Sequence, residues 1–346
     1  MSRLGVIPRL LPGLLLAIAV AAAARASTLG VPAIVSEVTI AVLLGIVVGQ
    51  LGVGRSVAVQ PGIAFTAQRV LRLGIVLLGA RLSVDQIVKI GLPAAVVIAV
   101  VMACALGLVL ALSRLASVAP RLGVLLAVGA AVCGNSAVVA TAPVIGARGR
   151  DVAYAVAVVT LFGTCAVFLY PIVGHWLGLS DASFGLWSGT AINDTSQVVA
   201  ASSAYSAGAL EVATVVKLIR NALMAPLLIG IAWAWARTET ALEDGLVGDT
   251  RAGIRKAVPL FVLGFLAMAA LRSVGIIGPD LAAVLDQAAR VCILVALAAV
   301  GLSVRIGELR SIGPKALAVG FGAAVVIGLG TLIAIVGLGL GSGLRV

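Results

Sequence analysis

Ser188-Gly189-Thr190-Ala191-Ile192-Asn193-Asp194-Thr195-Ser196-Gln197 interrupts an apolar segment that runs from residue 184 to 205. Seven of these ten residues carry polar side chains. The rest of the chain is very different. Of 346 residues 62% are hydrophobic and only 11% charged, against about 25% charged in a soluble domain. That balance excludes an ordinary soluble enzyme, a disordered chain and a disulfide scaffold, and leaves a polytopic membrane protein. Polar side chains at membrane depth are costly unless they line a cavity or partner one another. The stretch therefore reads as a place where a membrane helix breaks.

Upstream, the segment 122–146 has the same character, with Cys133-Gly134-Asn135-Ser136-Ala137 followed by Thr141-Ala142-Pro143. Gly134, Pro143 and Gly189 are the expected helix-breaking residues. The other apolar segments fall near 10–26, 31–50, 62–80, 92–113, 152–174, 211–236, 257–275, 282–303 and 314–340. Each span needs roughly 20 apolar residues. The expectation is an all-α polytopic integral membrane protein of about 9–11 transmembrane segments, two of them interrupted or re-entrant. With 4% aromatic residues and no alternating strands, a transmembrane β-barrel is excluded. A single transporter domain, 1–346, is expected, with a core at 122–236 and scaffold repeats at 31–113 and 257–340.

The chain repeats itself. At an offset of 60, Val138-Val139-Ala140 matches Val198-Val199-Ala200, and Asp151-Val152-Ala153 resembles Glu211-Val212-Ala213. Farther apart, Arg69-Val70 resembles Arg290-Val291, Leu82-Ser83-Val84 matches Leu302-Ser303-Val304, and Ile90-Gly91 matches Ile312-Gly313. The net charge of +11 comes from Lys and Arg scattered between apolar runs, the positive-inside pattern and not a nucleic-acid patch. It places the loops at Arg148 and Arg150 and at 237–256 in the cytoplasm, and the loop at His175 and Asp181 outside. These positions fit if 122–146 and 184–205 dip in from opposite faces, which inverts the repeats. Arg3 and Arg9 precede an apolar stretch from Leu10 to Ala24, and Ala24-Arg25-Ala26 has the form of a signal-peptide cleavage site. A retained first span is the preferred reading.

Broken helices from inverted repeats, meeting near the midplane, are a recurrent design of secondary transporters. Freed backbone N–H groups at a half-helix start attract anions. Gly134 and Gly189 admit a ligand to the backbone, and Asn135, Ser136, Thr141, Thr190, Asn193, Thr195 and Gln197 supply neutral hydrogen bonds. Singly, each Ser or Thr also reads as packing between helices. Asp194 is a proton or cation site, sodium included, or a paired structural charge. Lys217 and Arg220 share a helix face, with Asn221 beside them. They bind an anionic substrate, pair with Asp194, or snorkel to the interface. Arg69, Arg72 and Arg290 read as interfacial anchors. Cys104, Cys133, Cys165 and Cys292 lack metal-ligand spacing, and His175 is the only histidine. No enzyme, metal or cofactor motif is present.

On Pro61-Gly62, Leu73-Gly74-Ile75-Val76-Leu77-Leu78-Gly79, Arg81-Leu82-Ser83, Cys133-Gly134-Asn135-Ser136-Ala137, Ala142-Pro143-Val144-Ile145, Gly189-Thr190-Ala191-Ile192-Asn193-Asp194, Gln197-Val198-Val199-Ala200-Ala201 and Val216-Lys217-Leu218-Ile219-Arg220, the chain resembles the family of bacterial inner-membrane proteins labelled sulfate exporters. The resemblance runs from about Leu11 to near the C-terminus. It implies kinship with the wider group of cation/proton antiporters and anion transporters, with inverted repeats, interrupted helices and a homodimer. Asn193 stands where the family commonly has His, which removes a titratable partner of Asp194, and Asn135 where a small residue is common. The resemblance implies an ion-coupled exporter of sulfate, sulfite or a related small anion in the inner membrane, driven by a proton or sodium gradient. The rivals are an organic-anion transporter, a passive anion channel, and a sensor or assembly factor. No nucleic acid is expected as a partner.

Overall fold

The computed structural model describes residues 7–27, 37–51, 56–235, 237, 260–304 and 313–339. Among these residues every regular element is a helix. The polar loop expected at 237–256 lies almost wholly outside them. Seven helices are long and apolar enough to cross a membrane, and Glu37–Gln50, Pro120–Ala131 and Leu260–Ser273 are shorter apolar ones. The protein is an all-α, multi-pass membrane protein.

The chain divides into two compact units. The first takes Met1–Val88, Val199–Ala207 and Leu260–Gly307, the second Lys89–Val198, Gly208–Pro259 and Glu308–Val346. The expected scaffold segments 31–113 and 257–340 are therefore each cut between units, at Val88 and at Gly307.

The first unit contains α1 (Ile7–Ser27), α2 (Glu37–Gln50), α3 (Gln60–Arg81), α12 (Leu260–Ser273) and α13 (Pro279–Ser303). Small residues let its backbones touch. A methyl group on Gly45 of α2 would lie 3.0 Å from the Cα of Gly301 on α13. Residues Thr66–Val70 of α3 form a π turn, and the Thr66 hydroxyl donates to Gly62 O at 2.7 Å. Arg69 and Leu82 are 13 positions apart, Arg290 and Leu302 only 12. Arg290 donates to Asp286 at 2.9 Å, and Arg72 lies over the Phe261 ring.

The helix α4 (Val84–Leu115) leads from the first unit into the second. There follow α5 (Pro120–Ala131), α6 (Asn135–Thr141), α7 (Gly149–Trp176), α8 (Asp181–Ala191), α9 (Thr195–Tyr205), α10 (Ala207–Ala222), α11 (Met224–Trp235) and, much later, α14 (Pro314–Gly337); of α9 the second unit holds the residues up to Val198, and the rest fall in the first. The offset of 60 aligns the ends of elements: α5 and α8 stop at Ala131 and Ala191, and α6 and α9 start at Asn135 and Thr195.

Both broken pairs double back. Arg121 at the start of α5 donates through Nε to Ile145 O beyond α6, at 3.2 Å. Asp181 at the start of α8 lies against Gly208, just past α9, where a methyl group would come 3.2 Å from the Asp181 Cβ. Between these hairpins runs α7, 28 residues and about 42 Å long. It leaves the open end of the first hairpin and reaches that of the second, so the open ends lie at opposite ends of α7 and the tips face each other. The tips touch: a methyl group on Gly134 would lie 3.3 Å from the N and Cα of Asp194.

Candidate functional site

The first hairpin turns at Val132-Cys133-Gly134. Gly134 has φ +61° and ψ −122°, a combination open to glycine and essentially closed to residues with a Cβ. The second turns at Ile192-Asn193-Asp194. Ile192 is extended (φ −79°, ψ 137°), which ends α8. Asp194 then restarts the helix as an N-cap: its Oδ1 accepts from Ser196 N at 2.8 Å and Ser196 Oγ at 2.6 Å. Gly189, expected to break this helix, lies inside α8, which continues to Ala191. Its role is close approach, since a methyl group there would sit 2.8 Å from Val216 of α10. Pro143 stands just past Ala142, the C-cap of α6, where a proline cannot continue a helix, so Gly134 and Pro143 stand at helix ends and Gly189 does not.

A helix end leaves its last carbonyls without N–H partners. At this junction the partners come from α10. Lys217 and Arg220 are fully buried, 1% and 0% exposed. Lys217 Nζ donates to Val132 O at 2.9 Å, Ile192 O at 3.2 Å and Asn193 O. Arg220 donates from Nε to Ala131 O at 3.0 Å, from Nη2 to Ala130 O at 2.8 Å, and from Nη1 to Ile192 O at 3.0 Å and Gly189 O at 3.3 Å. Val128 O and Gly129 O receive Val132 N and Gly134 N, so every carbonyl from Val128 to Val132 is occupied. Each cation holds both hairpins. The three N–H bonds of Lys217 all go to backbone oxygens. A cation at a helix C-terminus is favoured by the partial negative charge there.

Around the tips lies a network of neutral groups. Asn135 Nδ2 donates to Thr160 Oγ1 of α7 at 3.2 Å. Gln197 Nε2 donates to Thr160 O at 3.0 Å and to Thr164 Oγ1 at 3.3 Å. Asn221 Nδ2 donates to Thr195 Oγ1 at 3.4 Å. Three buried amide oxygens, Asn193 Oδ1, Gln197 Oε1 and Asn221 Oδ1, accept no hydrogen bond among the described residues. Thr160 and Thr164 were not among the expected site residues. Their signal is a pair of hydroxyls four residues apart, on one helix face, in the apolar segment 152–174. Two expected hydroxyls point elsewhere: Thr141 donates to Ala137 O at 2.7 Å and Thr190 to Leu186 O at 2.6 Å, each within its own helix. Ser136 is exposed.

Lys217 and Arg220 bring two positive charges to the junction and an ionised Asp194 one negative. The two helix C-termini and two N-termini contribute opposing partial charges of roughly half a unit each and cancel. The balance is about one positive charge, favourable to an anion. Beside the second tip is a cavity of about 30 Å³, walled mostly by apolar residues of α4, α5, α7 and α14 and reaching Tyr170, Ile192 and Asn193.

A family model described as "Conserved hypothetical protein 698" matches residues 12–320. A "UPF0324 membrane protein" of Bacillus cereus is 33% identical over 287 residues, covering 83% of this chain and 80% of that protein. One from Bordetella bronchiseptica is 35% identical over 262 residues, 75% of this chain and 80% of its own length. One from Streptococcus agalactiae is 33% identical over 317 residues, 90% and 92% of the two chains. No solved structure matches the chain. With such identity over most of both lengths, and all-helical spans to match their description as membrane proteins, the chain belongs to the UPF0324 membrane protein family.

Proposed function

We propose that this protein is a secondary transporter of a small anion in the bacterial inner membrane, exporting sulfate, sulfite or a related oxyanion, or in the alternative an organic anion. The observation that carries the reading is the tip-to-tip junction with Lys217 and Arg220 buried in it. The first helices of the hairpins have 12 and 11 residues, about 16–18 Å, which is half of a hydrocarbon core of about 30 Å. In this reading the hairpins are re-entrant from opposite faces and related by inversion, the arrangement that supports alternating access about a central site. The half-buried Asp194 carboxylate takes the coupling proton or sodium. Substrate charge meets the positive balance of the junction. No bond is made or broken, and no cofactor takes part.

Flux into proteoliposomes tests this. Saturable anion movement driven by a proton or sodium gradient, and lost in Asp194→Asn, is the expected result. Folded protein that moves no anion from a broad panel under either gradient would overturn the proposal. Conductance without coupling would favour a passive channel.

A further inference from the structure

Three of three N–H bonds of the Lys217 ammonium, and at least three of the five of the Arg220 guanidinium, already serve backbone carbonyls. A bare sulfate dianion, surrounded by donors in water, finds few free ones at the junction. The adjoining cavity offers different chemistry. Val109, Leu126, Val158, Phe162, Ala323 and Ile327 wall it with apolar surface. Its volume of about 30 Å³ exceeds the roughly 10–15 Å³ that a single water needs, which is room for two or three heavy atoms. Two side chains give it polar character. The Tyr170 hydroxyl makes no hydrogen bond among the described residues, and its ring is fixed by stacking on Trp187, centroids 4.0 Å apart and planes at 4°. Trp187 is itself tied to Gly328 O at 2.9 Å. Asn193 has a buried amide oxygen without a donor, and turning the amide over puts its N–H bonds in the same place. Ile192, whose carbonyl takes both Arg220 and Lys217, lines this cavity too.

We infer that the transported solute is an organic monoanion with a short alkyl group of about two or three carbons, a sulfonate or a carboxylate. The alkyl group occupies the cavity, and the head takes hydrogen bonds from the Tyr170 O–H and the Asn193 amide. While Asp194 is ionised, the single negative charge matches the balance of about one positive charge at the tips. This rests on the anion-transporter reading and narrows its substrate class.

Titration calorimetry on the purified full chain in lipid nanodiscs tests it, using methane-, ethane-, propane- and hexanesulfonate, the matching carboxylates, and sulfate. Affinity rises about fourfold per methylene up to propane and drops at hexane, and sulfate binds at least about tenfold more weakly than propanesulfonate. Phe162→Ala, which widens the cavity, moves the optimum to longer chains, a gain that a misfolded protein does not give. Tyr170→Phe keeps the ring stack and weakens every member by about tenfold or more. Sulfate binding as tightly as propanesulfonate, with no dependence on chain length in the parent or in Phe162→Ala, overturns this inference and leaves a small-anion transporter standing. No binding and no flux with any anion overturns both.

Discussion

Replacing Arg220 with Met keeps most of the side-chain length and removes its donors. Three carbonyls then lose their partners, Ala130 O, Ala131 O and Gly189 O, while Ile192 O keeps the Lys217 bond at 3.2 Å. Each orphaned carbonyl costs about 1–3 kcal/mol. Relief of the buried guanidinium's lost hydration offsets part of this, leaving about 3–5 kcal/mol, the range found when one partner of a buried ionic arrangement is removed. At an unfolding entropy of about 2.1 cal/mol/K per residue, a chain of this size loses about 4–7 °C in Tm. The assay is thermal unfolding in detergent followed by intrinsic fluorescence, with the buried Trp187 as reporter. Because Arg220 and Lys217 share Ile192 O, the Arg220→Met, Lys217→Met double variant departs from the sum of its parents. A Tm for Arg220→Met within about 1 °C of the parent would show that the guanidinium does not hold the junction together.

Gly134→Ala forces a Cβ into a backbone region that costs about 1–3 kcal/mol and against Asp194, so its Tm falls by about 1.5–4 °C. Gly149→Ala, where a methyl group meets open space, leaves Tm unchanged in the same assay. Asp194→Asn retains an equally good N-cap, so Tm stays within about 1 °C while gradient-driven flux disappears. Thr141→Val and Thr190→Val leave flux unchanged, because both hydroxyls are spent within their own helices, whereas Gln197→Leu abolishes it by removing the tie to Thr160 and Thr164. Equal losses in all three would place the site elsewhere.

Much of the fold is legible because the membrane imposes it. Runs of Leu, Val, Ile and Ala require helices, and the polar residues at 133–136 and 188–197 locate the two interruptions. The break itself is read less accurately. Gly189 looked like the breaker, yet a glycine can serve a neighbouring helix, here Val216, as readily as a turn. The roles of Lys217 and Arg220 are harder still to read. Spacing puts them on one face, but nothing in the sequence says that the orphan carbonyls of two helices 60 residues apart converge on them. Thr160 and Thr164 escape notice because a hydroxyl in an apolar helix usually bonds to its own backbone. The stack of Tyr170 on Trp187 joins elements with no sequence relation at all.

The double cap has a consequence for biogenesis. Arg220 lies 89 and 90 residues downstream of the carbonyls it serves on the first hairpin. At about 5–20 residues per second, translation leaves that tip uncapped for roughly 5–18 s after it emerges. Through that interval bare peptide oxygens would face hydrocarbon at high cost, so the tip has to wait in water or within the insertion machinery. The first hairpin can settle at its final depth only when α10 arrives, and a nascent chain stalled before Lys217 would hold an unfinished core.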